Sequence, residues 1–197
     1  MPFFDFLSRK KSTIEEQLEV LSRSGISPNE NFSVHQLISV SGRELFEESP
    51  FIYLLCALGD ESEFEPHLPF SNNVWHLDTE CIEAHGDYIR IARRMALLAG
   101  DALKLQSLED RVDIEQGRAS LSFILEGQRI VWAPEVKDDW IDARILSNFV
   151  ELLDRQKTSK RFTYIDTGGQ DCLIGCAIPE QFNLLRKATG LKVEWLK

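Results

Sequence analysis

The sequence has no Cys-x-x-Cys pair: Cys56, Cys81, Cys172 and Cys176 stand apart, with three of them in apolar surroundings. That spacing excludes a zinc ribbon or thioredoxin-type motif and fits free, buried thiols of a reducing compartment. Also missing are a Gly-x-Ser-x-Gly elbow, a dinucleotide fingerprint and a His-Glu-x-x-His helix. Gly168-Gly169-Gln170 is not followed by the lysine and hydroxyl residue that hold a nucleotide's phosphates. No apolar run approaches the ~18 residues of a membrane span. The opening apolar stretch to Leu7 contains Asp5 and has its basic residues Arg9, Lys10 and Lys11 behind it, the wrong order for a signal peptide. These absences lead us to expect no cofactor, no stoichiometric metal and a cytoplasmic location.

Positive charge is scarce as well. Lys and Arg number 22 against 32 Asp and Glu, a formal net charge of −10. Such a field repels phosphate backbones and anionic lipid, so neither nucleic acid nor a membrane is expected as a partner, and a basic protein is. With 43 % hydrophobic residues over 197 positions, the chain has enough apolar surface to fold without disulfide or metal.

Periodicity and punctuation give the elements. Thr13 caps an amphipathic helix over 13–24 carrying Ile14, Leu18 and Leu21. Ser33 and Gln36 form a second capping box before a helix that ends near Gly42, and 43–48 adds a further turn. The continuous apolar run 51–58 reads as a strand buried on both faces, with a short helix as the alternative. Residues 60–73 have no period and are expected as a flexible loop or sub-domain boundary within a single domain, 1–197. A short strand over 74–78 and a helix ending at Gly100 follow. Strands over 111–115, 119–126 and 128–133 form a meander in which Phe123 faces Ile130 and Leu121 faces Trp132. Asp142 caps a helix with Ile145, Leu146, Phe149, Leu152 and Leu153 on one stripe. The segments 161–166 and 171–177 make a hairpin, a helix runs from Pro179 to Gly190, and Leu191, Val193 and Trp195 alternate as a last strand. The fold class is therefore α+β, an antiparallel or mixed sheet (meander plus hairpin) covered on one side by helices.

Candidate chemistry and binding groups concentrate in five places. His76, Asp78, Glu80, Cys81, Glu83, His85 and Asp87 supply ligand and acid/base groups, with His76 and Asp78 on one face of a strand, but they match no metal spacing. Cys172 and Cys176 share a strand face with Ile174, and a nearby base would make either a nucleophile. Arg90, Arg93 and Arg94 lie at helical spacing as a solvated basic face. Trp132, Asp138, Asp139 and Trp140 place aromatic and acidic groups in one connection, the composition of a binding surface for a basic partner. Phe3, Phe4 and Phe6 offer a second apolar anchor. Two functional expectations follow. The first is a noncatalytic protein-binding module acting through Trp132, Asp138, Asp139 and Trp140, by analogy of size and charge with immunity proteins that neutralise a basic toxin. The alternative is a small hydrolase or transferase using the 76–87 cluster or the Cys172 hairpin.

Overall fold

The computed structural model describes residues 12–61 and 68–197. Helix α1 (Ile14–Arg23) begins at the expected capping box: the Thr13 hydroxyl accepts from Glu16 N at 3.2 Å, and Thr13 N donates to Glu16 Oε2 at 3.1 Å. Helices α2 (Val34–Ser41) and α3 (Arg43–Glu48) are separated by Gly42 at φ 75°, a left-handed conformation that glycine adopts without steric cost. The apolar run then corrects our expectation: it is helix α4 (Ile52–Gly59), not a strand. An unbroken run of eight apolar residues has no period of its own, so tertiary packing decides. Leu54, Leu55 and Leu58 are the buried positions, a helical spacing. Buried Gln17 completes the junction, its amide donating to Phe46 O at 2.9 Å and accepting from Phe51 N at 2.8 Å.

After α4 the chain pairs Glu61 with Pro69 and buries Phe70 and Ser71 before strand β1 (Val74–Asp78). The middle of the loop expected over 60–73 lies outside the described residues. Then come α5 (Asp87–Ala99), the meander β2 (Gln106–Asp113), β3 (Arg118–Leu125) and β4 (Gln128–Trp132), α6 (Ala143–Arg155), the hairpin β5 (Arg161–Asp166) and β6 (Asp171–Ala177), α7 (Pro179–Thr189) and β7 (Glu194–Trp195). The register Phe123 to Ile130 and Leu121 to Trp132 is present. Strand β2 begins earlier than expected, because the register shifts between Gln106 and Glu109 and hides its alternation. The last strand is confined to Glu194 and Trp195, which pair with Tyr164 and Thr163.

The strands form two antiparallel sheets, one of order β1-β6-β5-β7 and the meander. Alternation along the first sheet sends side chains to two cores. Trp75, Leu77, Phe162, Cys172 and Ile174 join α5, α6 and the meander's inner face. Val74, Ile165, Leu173 and Ala177 join α1, α3, α4 and α7. One-sided cover describes the meander; the four-stranded sheet has helices on both faces. Arg94 departs from the solvated face expected for α5. It is 6 % exposed, lies over Trp75 at 5.8 Å, and donates from Nη2 to Gly59 O at 2.9 Å and Val74 O at 3.2 Å, joining α5 to α4. Its Nε and Nη1 have no hydrogen-bond partner among the described residues, and burial pushes its pKa down to about 10.

Candidate functional site

Beyond β1 the chain continues as 79–82 and runs antiparallel to 139–141. Ile141 N donates to Thr79 O at 2.8 Å and Ile82 N to Asp139 O at 2.9 Å. The turn before it closes with Trp140 N donating to Lys137 O at 3.1 Å and has Asp138 at φ 51°, an uncommon conformation for a residue with a Cβ. On the other side Asp142 caps α6. Its carboxylate accepts from Arg144 N at 3.0 Å and from Glu135 N at 2.8 Å, and Arg144 beside it holds the carboxyl below the usual range. The backbone at Trp140 is thus fixed from both sides, yet its indole is 39 % exposed.

That indole stands between two depressions. A cavity of about 570 Å³ lies among Trp140, Ile141, Leu146, Tyr164, Cys172 and Leu196, with the Gly169-Gln170 turn at its edge. A second, of about 420 Å³, shares Trp140, Ile141 and Ala143 and adds Glu135 and Lys137. The Asp138 and Asp139 carboxylates form no hydrogen bond or ion pair with the described residues. The structure places Trp140 on the wall of both cavities, with Asp138 and Asp139 preceding it in the chain and lining neither. It does not bring Trp132 to the same cavity: that ring packs edge-on against Phe123 at 5.0 Å and Phe149 at 4.9 Å, as part of the core. Thr79, Leu146, Tyr164 and Leu196 were not singled out from the sequence. Each reads as an ordinary core or strand residue until the sheet end and α6 bring them together.

The 76–87 cluster is dispersed. His76 sits between two carboxylates, Nδ1 2.8 Å from Asp60 Oδ1 and Nε2 3.1 Å from Asp171 Oδ2. Asp60, the neighbouring Cys56 thiol and Asp171 together outweigh burial and raise its pKa to about 11. Gly59 permits this arrangement, since a Cβ there would lie 2.4 Å from His76 N. Asp78 is used by Glu80 N at 2.9 Å and the Gln170 amide at 3.1 Å, and Asp87 by Glu83 N and Ala84 N, both at 2.8 Å. His85 belongs to the meander, its Nδ1 accepting from Val112 N at 2.8 Å. No three His, Cys, Asp or Glu side chains among the described residues are grouped to hold a metal ion.

All four cysteines are free thiols. Burial pushes Cys81 up to about 11 and Cys172 and Cys176 up to about 12. The glycine turn is an Asx turn, with Gly168 N donating to Asp166 Oδ1 at 2.9 Å. No described helix is long and apolar enough to cross a membrane. The anchor at Phe3, Phe4 and Phe6 lies outside the described residues. Comparison with protein-family models, curated proteins and solved structures gives no match.

Proposed function

We propose that the chain is a noncatalytic binding module that docks a basic protein partner on the face around Trp140, with Asp138 and Asp139 meeting its charges. The observation that carries this reading is the exposed Trp140 indole, fixed by backbone pairing between two depressions and beside two uncommitted carboxylates. Prepaid backbone order lowers the entropic cost of docking, and a rigid aromatic beside free charge is the composition of an interface anchor. Neutralisation of a basic toxin by an immunity-type protein is a partnership of this chemistry. Against the hydrolase or transferase alternative stand the two Cys172-hairpin thiols, which are protonated at neutral pH, and an imidazole at His76 with both nitrogens on carboxylates.

The experiment is selection from a displayed random-peptide library on the wild-type chain, with counter-selection on Trp140→Ala. Enriched peptides should be rich in Lys and Arg, their association rate should fall with added salt, and Asp138→Lys/Asp139→Lys should slow association. Enrichment of acidic peptides, or of peptides that both variants bind as the wild type does, would contradict the proposal.

A further inference from the structure

We infer that the cavity beside Trp140 receives a neutral aromatic side chain of the partner, while the partner's cationic groups lie outside it over Asp138 and Asp139. This rests on the docking reading above and names what the docking face takes in. The walls are apolar or aromatic, from Trp140, Ile141, Leu146, Tyr164 and Leu196. Several polar groups around them are already committed. The Thr79 hydroxyl donates to Gln170 O, and Ser147 Oγ donates to Lys197 O at 2.9 Å. Asp171 borders the cavity, and one oxygen of its carboxylate, Oδ2, is engaged by His76 at 3.1 Å and Thr167 at 3.4 Å.

The remaining charged side chain on the wall is Lys197, which is exposed. A cationic head entering here would lose its hydration and meet an ammonium, with the Asp171 carboxylate, already shared with His76, as its one acidic neighbour on the wall. An anion would exchange full hydration for one exposed lysine, a poor trade. An aromatic ring meets neither difficulty: it stacks or packs edge-on against Trp140 and Tyr164. The Tyr164 hydroxyl, which has no partner among the described residues, then supplies one oriented hydrogen bond. The volume of about 570 Å³ falls in the range of small-ligand sites, roughly 300–1,000 Å³, and leaves room for a phenol or indole ring.

Side-chain analogues test this without a known partner. Methyl-labelled protein is titrated separately with p-cresol, toluene, n-butylguanidinium and acetate, following the methyl resonances of Ile141, Leu146 and Leu196. We expect p-cresol to shift these methyls saturably and to bind at least about tenfold more tightly than either ion, a difference of about 1.4 kcal/mol. Tyr164→Phe should remove the preference for p-cresol over toluene. Leu146→Trp, which fills the cavity, should abolish binding of both, with Trp140→Ala as a second variant at an exposed position should the first fail to fold. Binding of n-butylguanidinium as tight as p-cresol, or p-cresol shifts that do not reach these methyls, overturns the inference. The docking reading fails separately, in the peptide selection: a basic peptide that needs Trp140 but no aromatic residue would sustain it and sink this one.

Discussion

His76 lies on the edge strand β1 and Trp140 on the segment that pairs with the chain just beyond it, and the two regions use their polar groups in opposite ways. Around His76 most polar groups are spent: each ring nitrogen meets a carboxylate, Asp78 takes the Gln170 amide, and Arg94 Nη2 ties α5 to the end of α4. Around Trp140 the backbone is committed while the Asp138 and Asp139 carboxylates have no partner among the described residues. The first arrangement lowers the energy of the fold; the second leaves binding free energy unused. A dense set of titratable residues thus serves the fold, and a sparse set of free ones is the docking face we propose.

The largest effect should come from Gly59→Ala. A Cβ there meets backbone at 2.4 Å and 2.9 Å, which cannot move away as a flexible side chain would. We expect a loss of about 3 kcal/mol in chemical denaturation. His76→Gln comes next. It keeps part of the polarity but removes the charge, and should cost about 2 kcal/mol at pH 6, discounted because Asp60 and Asp171 are partly exposed. The folded pKa is raised, so this contribution is complete below the unfolded value near 6.5. It declines above that and vanishes as pH passes the folded value of about 11. Denaturation midpoints of wild type and variant should therefore converge with rising pH; a constant gap would show that the charge is not what His76 contributes. Smallest is Trp140→Ala, with stability changed by less than about 0.5 kcal/mol, because the indole closes no core. A large loss of stability there would make Trp140 a structural residue and weaken the comparison.

Most elements were legible because their signals are local. The Thr13 to Glu16 box, Asp142, Pro179 and Gly190 fix helix ends, and the alternation of β3 with the Glu126-Gly127 turn fixes the meander's register. The run 51–58 was not legible, since its apolar residues suit helix and strand equally and Gly59's close approach to His76 is a long-range fact. Of the proposed docking face, Asp138, Asp139 and Trp140 stand out in the sequence as composition in one connection. Trp132, from the same stretch, was misleading because adjacency in sequence says nothing about which ring turns inward. Tyr164 and Leu196 were invisible, since their part in the cavity exists only once β5, β7 and α6 meet. The division of labour between His76 and Trp140 is likewise tertiary: Asp60 and Asp171 are distant in sequence from the imidazole they hold.

The most direct measurement takes one peptide from the selection and compares Trp140→Ala with His76→Gln for both peptide affinity and thermal midpoint. The account predicts a crossed result. Trp140→Ala should lose about 100-fold in affinity, the scale of an interface anchor, with an unchanged midpoint. His76→Gln should melt earlier and bind within about twofold of wild type, since its bonds serve the fold and not the face. The opposite pattern, with affinity lost on His76→Gln and retained on Trp140→Ala, would contradict the claim that the uncommitted face is the one that binds.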